Sequence, residues 1–209
     1  MIYINDIACF LESKCFLYAD DTSLFEIVDD PSLSAAKLNS DLESINVWSN
    51  KWQVSMNPKK TKTMIFSVKK NKPAHPHLYS SGKVIDEVDC HTHLGLTLSS
   101  NLSWREHILN IHSKASKRVH VLKRLKYKLN RATLTVLYKS MIRSIMEYAD
   151  VVWDGCDAYL SDMLENIQYQ SSIIVTGALK GTSKHCLLDE LGWEDLKMRR
   201  LVHKLIVFL

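Results

Sequence analysis

The 209-residue sequence lacks the signatures of several common classes of protein. It has no charge-free apolar run long enough to span a bilayer, and no basic segment precedes an apolar one near the N-terminus, so neither a membrane helix nor a signal peptide is predicted. The five cysteines are scattered without a C-x-x-C pair, which favours a reducing compartment over a disulfide framework. G-x-x-x-x-G-K-S/T, H-E-x-x-H, G-x-S-x-G and G-x-G-x-x-G are also absent. We therefore expect an intracellular protein of the cytoplasm, the nucleus or both, without membrane contact.

Acidic residues are missing from one long segment. Between His112 and Met146 the sequence has ten lysines or arginines and no aspartate or glutamate. Residues 51–146 carry nineteen basic and four acidic residues, a net +15 against +4 for the whole chain. A solvated helix usually mixes signs, because opposite charges four residues apart stabilise it and like charges do not. A polyanion such as nucleic acid is the expected partner, and an unusually basic solvent face is the alternative.

The hydrophobic patterns predict an α+β portion over residues 1–99 and an all-α portion over 100–209. Asp30 and Pro31 are typical of a helix start, and apolar residues then recur at helical spacing as far as Trp52. A strand is predicted over residues 63–68, and shorter ones near Leu78–Tyr79, Lys83–Ile85 and His93–Leu98.

Helices are predicted from Trp104 to about residue 148. One face of the first carries Ile108, Ile111, Ala115, Val119, Leu122 and Leu129, and Lys117, Arg124 and Lys128 fall roughly opposite. The candidate phosphate contacts on these helices are Lys114, Lys117, Arg118, Arg124, Lys128 and Arg131.

Two adjacent aspartates interrupt an apolar run in the segment FLYADDTSLF, residues 16–25. The flanks are typical of short, largely buried strands and the centre of a turn, so we predict a β-hairpin over residues 14–27 with Asp20 and Asp21 at its turn. Adjacent like charges raise each other's proton affinity unless a cation offsets them. The pair is therefore either a polar β-turn or an oxygen-ligand site for Mg²⁺.

A series of motifs in collinear order resembles the reverse transcriptases of non-LTR retrotransposons of the jockey and chicken-repeat-1 type. The series begins with YINDI at residues 3–7 and LYADDTSLF at 17–25. It continues with NPKKTKTMIF at 57–66, HLG at 93–95 and LSWREHI at 102–108. LYKS at 137–140, EYADVVW at 147–153 and LGW at 191–193 complete it. The resemblance covers essentially the whole chain.

The resemblance implies a function in RNA-templated DNA synthesis by two-metal nucleotidyl transfer. Asp20 and Asp21 would hold Mg²⁺ as catalytic ligands, and Lys60 would act as a general acid or electrostatic clamp on the leaving group. His93, Leu94 and Gly95 would form the turn that grips the primer. Residues 1–99 would be part of the polymerase palm and residues 100–209 the thumb and following helices, with an RNA template and a DNA primer as partners.

The same resemblance indicates which parts of the family's polymerase have no counterpart among the matched motifs. The family's palm has another metal-binding aspartate upstream of YINDI, together with the fingers, and no other carboxylate of this sequence stands in a matching motif. We therefore expect a segment of a reverse transcriptase that is inactive by itself and would need the N-terminal half of the polymerase. The alternatives are a non-enzymatic nucleic-acid-binding module and an element remnant without a selected role.

Overall fold

The computed structural model describes residues 6–69 and 74–209, which form two compact units, Met1–His91 and Thr92–Leu209. The fold mixes helices with small sheets and is compatible with the predicted α+β class. Residues 3–5, the start of the YINDI motif, lie outside the described residues. The identification of the two parts of the chain as palm and thumb stays a prediction.

The first unit is organised around a hairpin and one long helix. Strand β1 (Lys14–Tyr18) pairs antiparallel with β2 (Asp21–Phe25), and helix α1 follows at Pro31–Trp52. The Asp30 side chain caps α1 by accepting hydrogen bonds from the backbone N–H of Ser32 at 2.7 Å and of Leu33 at 3.2 Å. The predicted hairpin and the predicted helix are both confirmed.

The remaining strands of this unit are only two residues long. β3 (Lys62–Thr63) pairs parallel with β6 (Asp86–Glu87), and β4 (Tyr79–Ser80) pairs antiparallel with β5 (Lys83–Val84). The prediction of a strand over residues 63–68 is wrong beyond Thr63. The reason is that β6 offers β3 a partner over two residues only, and a strand needs a partner for its backbone N–H and C=O groups.

One face of the hairpin is partly buried against α1. Leu17 and Leu24 pack with Ile45 and Trp48 of α1, while Tyr18 on the opposite face is 66% exposed. The expectation of largely buried strands is therefore wrong, because successive side chains alternate between the two faces and α1 covers only one of them.

The second unit is mainly helical. Strand β7 (Cys90–His93) spans the boundary between the units and forms a two-stranded sheet with β8 (Leu96–Ser99). The helices are α2 (Arg105–Leu125), α3 (Arg131–Leu137), a π-helical turn (Tyr138–Arg143), α4 (Ser144–Glu147), α5 (Asp150–Trp153), α6 (Ala158–Thr176), α7 (Lys184–Leu191) and α8 (Leu196–Phe208). The prediction that residues 104–148 are predominantly helical is confirmed.

The core of this unit lies between α2, the helices from α3 to α4, and α6. The predicted apolar face of α2 is buried in it, as are Trp153, Leu160 and Leu164. In the part of the chain that the structure describes, no helix has the length and apolar content needed to cross a bilayer.

Candidate functional site

The candidate catalytic turn is the two-residue loop between β1 and β2. Tyr18 pairs with Asp21 across the hairpin, so Ala19 and Asp20 form the loop and Asp21 is the first residue of β2. Ala19 has a φ of 54°, in the left-handed region that residues with a Cβ rarely adopt. Strain of this kind persists only where the surroundings enforce it, and it is common at functional turns.

Both carboxylates of this turn are exposed to solvent. Carboxylate oxygens are the ligands that Mg²⁺ prefers, so the turn fits part of the ligand set of such an ion. Within residues 6–69 and 74–209, no group of three or more Asp, Glu, His or Cys side chains is arranged to hold a metal ion.

Asp41 of α1 positions the chain that leads into the hairpin. Its Oδ1 accepts a hydrogen bond from the backbone N–H of Glu12 and its Oδ2 from that of Ser13, both at 2.9 Å. Asp41 is 1% exposed. Burial raises the pKa of its carboxyl, but hydrogen bonds from Ser13 and Glu12 and the charge of Lys37 outweigh burial and hold the pKa below its usual value.

The role of Asp41 was not predicted from the sequence. The available signal is its place on the apolar face of α1, three residues after Leu38 and four before Ile45. An acid on such a face is buried with the apolar residues and must find hydrogen-bond donors there.

Lys60 lies in a turn that follows α1. Its backbone N–H donates to the carbonyl of Asn57 at 3.0 Å, and its side chain is exposed. An exposed ammonium is free to approach a phosphate, but its assignment to the leaving group stays a prediction.

The predicted primer-grip turn connects β7 to β8 in the second unit. Leu94 has a φ of 47° and Gly95 a φ of 80°, so both adopt left-handed conformations. The hydroxyl of Tyr148 donates to the carbonyl of Leu94 at 2.9 Å. The sequence did not single out Tyr148, although it lies within the EYADVVW motif.

The candidate nucleic-acid surface lies on α2 and the residues that follow it. All six predicted phosphate contacts are exposed: Lys114, Lys117, Arg118, Arg124, Lys128 and Arg131. Arg131 is already engaged, because its Nη1 lies 2.6 Å from Oε1 of Glu190 and its Nη2 donates to the Glu190 carbonyl at 3.0 Å. Among the residues that the structure describes, none of the other five side chains forms an ion pair.

The acidic side chains of this unit are directed mainly to other cations. The pairs are Glu147–Arg199, Asp154–Arg200, Asp154–Lys204 and Glu165–Lys184. These contacts join α4 and the end of α5 to α8, and α6 to α7, and they leave the cations of α2 available to an external anion.

Three curated proteins from Drosophila melanogaster match the chain. A probable RNA-directed DNA polymerase from transposon BS is 23% identical over 177 residues, which are 80% of this chain and 19% of that protein. A probable RNA-directed DNA polymerase from transposon X-element is 21% identical over 145 residues, 66% of this chain and 16% of the relative. The RNA-directed DNA polymerase from mobile element jockey is 25% identical over 134 residues, which are 63% of this chain and 14% of that protein.

This chain is similar to the jockey-type non-LTR retrotransposon polymerases. The resemblance drawn from the motifs is thereby confirmed. The chain spans less than one fifth of the length of each of these relatives. No protein-family model and no solved structure matches it.

Proposed function

We propose that this chain supplies the YADD turn and the primer-contacting part of an RNA-directed DNA polymerase. The observation that carries the proposal is the Asp20–Asp21 turn, built at a strained Ala19 on a hairpin that α1 and Asp41 hold in place. In the proposed complex, Asp20 would be the principal ligand of Mg²⁺ and Asp21 a weaker one. Bound Mg²⁺ supplies charge stabilisation and a lowered pKa for the attacking hydroxyl.

The chain's own residues would bind and orient the nucleic acid around that turn. Lys114, Lys117, Arg118, Arg124 and Lys128 would contact the phosphates of the primer–template duplex, because no acid within residues 6–69 and 74–209 forms an ion pair with them. Lys60 would neutralise the leaving phosphates, and the turn at residues 93–95 would contact the primer strand.

We further propose that the chain alone does not extend a primer. The turn offers two adjacent carboxylates, whereas two-metal catalysis holds its ions roughly 3.5–4 Å apart between several ligands. Mg²⁺ also demands near-octahedral geometry and gives up water reluctantly. The N-terminal half of a polymerase would therefore be the partner that completes the site.

A non-enzymatic role in nucleic-acid binding is the second candidate function. The basic residues of α2, which form no ion pair with the other residues that the structure describes, favour this role, since they need only a phosphate backbone and no metal. A transcribed remnant without any selected role is compatible with the same fold.

The experiment that tests the proposed surface is a salt titration of binding to an RNA–DNA primer–template duplex. We expect log Kd to rise with log salt by about 0.9 per phosphate contacted. Replacing Lys117, Arg124 and Lys128 together by Gln should weaken binding and reduce the slope by about 3. The matched control replaces the exposed Lys83, Lys180 and Lys197 by Gln, which removes the same charge elsewhere. Equal effects of the two triple variants would exclude α2 as the binding surface.

A further inference from the structure

Tyr148 lies at a break between α4 and α5. Its own backbone is extended, with a φ of −63° and a ψ of 119°, and the next residue, Ala149, has a left-handed φ of 49°. A residue with a Cβ is strained in that region, so the surrounding structure must hold the break open. The buried indole of Trp153 donates its N–H to the carbonyl of Tyr148 at 3.0 Å. This hydrogen bond connects the backbone at the break to a residue of the helical core.

The side chain of Tyr148 reaches a turn 54 positions earlier in the sequence. Its hydroxyl donates to the carbonyl of Leu94 at 2.9 Å. Its ring also lies against Gly95, where an added Cβ would stand 3.0 Å from Cε1 of the ring. Glycine is therefore favoured at position 95 for two reasons, its φ of 80° and the close approach of the Tyr148 ring.

The hydrogen bond fixes the orientation of one peptide group in the turn. The carbonyl of Leu94 and the N–H of Gly95 belong to the same planar peptide, and in a trans peptide they point in opposite directions. With the carbonyl held by Tyr148, the Gly95 N–H is directed away from the ring. Backbone N–H groups are common donors to the phosphates of a nucleic-acid strand.

We propose that Tyr148 is a positioning residue, which sets the turn at residues 93–95 so that the Gly95 N–H can donate to a phosphate of the primer strand. This inference rests on the proposed function, because it takes that turn as a strand contact. Tyr148 is 53% exposed, so its contact with the turn adds little to the buried core. The contact instead ties the turn, through Tyr148 and Trp153, to the helical core.

The test compares Tyr148→Phe, which removes only the hydroxyl, with Tyr159→Phe as the matched control. Tyr159 is 52% exposed and lies on α6 in the same unit, and among the described residues no hydrogen bond joins its side chain to the turn. Two measurements are made on the full chain. Amide hydrogen exchange of residues 93–96 is followed without nucleic acid, and photocrosslinking is followed from a reactive nucleotide at the 3′ end of the primer in an RNA–DNA duplex.

We expect Tyr148→Phe to speed exchange in the turn and to reduce crosslinking to residues 93–95 at least threefold. The duplex affinity should stay within twofold of wild type, because the cations of α2 supply most of it. A lost contact that merely destabilised the fold would lower the affinity and the crosslink together. Gly95→Ala should reduce the crosslink in the same way, since its Cβ displaces the ring.

Unchanged exchange in Tyr148→Phe would overturn the positioning role. A wild-type chain that binds the duplex without crosslinking at residues 93–95 would overturn the strand contact. If the wild type binds no duplex at all, the proposed function fails, and the exchange measurement still decides whether Tyr148 sets the turn.

Discussion

The Asp41 carboxylate accepts the backbone N–H of Ser13 at 2.9 Å, one residue before strand β1 begins. The two residues are 28 positions apart, yet their contact fixes where the chain enters the hairpin that ends in Asp20. A second oxygen of the same carboxylate holds the N–H of Glu12. Helix α1 thus positions the candidate catalytic turn through a buried charge as well as through apolar packing.

Replacing Asp41 by Asn should destabilise the first unit by about 2 kcal/mol, because an amide has one acceptor oxygen and leaves the other N–H without its charged partner. Chemical denaturation followed by circular dichroism measures this loss. Glu43→Gln is the matched control, since Glu43 is an exposed acid on the same helix. Equal stability of the two variants would show that the Asp41 contacts contribute nothing to the fold.

The pH dependence of this effect follows from the lowered pKa of Asp41. A carboxyl with a lowered pKa in the folded state stabilises the fold above the unfolded pKa, about 3.9, and loses that contribution as the pH falls through the folded pKa. The difference in unfolding free energy between wild type and Asp41→Asn should therefore be constant above about pH 5 and shrink below pH 4. A difference that stays constant to pH 2 would contradict this assignment.

In the second unit, Arg200 is expected to be the main attachment of α8. It is 2% exposed, its Nε lies 3.0 Å from Oδ1 of Asp154, and its guanidinium lies over the ring of Trp153. Arg200→Met should cost about 3 kcal/mol in unfolding free energy, because it removes a buried guanidinium and leaves the partly buried Asp154 carboxylate with Lys204 as its remaining cation. Lys197→Met, at an exposed position of the same helix, should change it by less than about 0.5 kcal/mol. Similar losses in both variants would contradict this role.

A metal ion at the YADD turn should be detectable by its effect on nuclear relaxation. We expect Mn²⁺, substituting for Mg²⁺, to broaden the amide signals of Ala19–Thr22, and we expect Asp20→Asn to reduce that broadening. The adjacent pair Asp29–Asp30 serves as an internal control for non-specific attraction of Mn²⁺ to neighbouring carboxylates. In this pair the Asp30 carboxylate already caps α1. Equal broadening at the two pairs would show only general attraction of the cation to carboxylates.

The sequence was sufficient to predict those structural elements that are determined by residues close to one another in the chain. Asp30 and Pro31 predicted the start of α1 because a cap and its donors lie within a few positions, and the apolar flanks of Asp20 and Asp21 predicted the hairpin. The tertiary contacts of Asp41 and Tyr148 could not be predicted, since their partners lie far away in the sequence. Arg131 was predicted to contact phosphate, but its ion pair with Glu190 depends on how α7 packs.

The roles assigned to Lys60, to the turn at residues 93–95 and to the basic residues of α2 came from motifs and charge alone. The structure supplies their exposure and their local contacts. Their roles toward a primer and a template remain predictions, because those roles depend on contacts with a bound nucleic acid.

Primer extension on an RNA template with Mg²⁺ tests the central claim most directly. The chain and its Asp20→Asn variant are assayed alone and after co-purification with the N-terminal half of the jockey polymerase. We predict no extension by either chain alone, and extension by the co-purified wild type that Asp20→Asn abolishes. Extension by the isolated wild type that the variant abolishes would contradict the need for a partner. A co-purified complex that does not extend the primer, or extends it equally with Asp20→Asn, would contradict the assignment of the turn to polymerase chemistry.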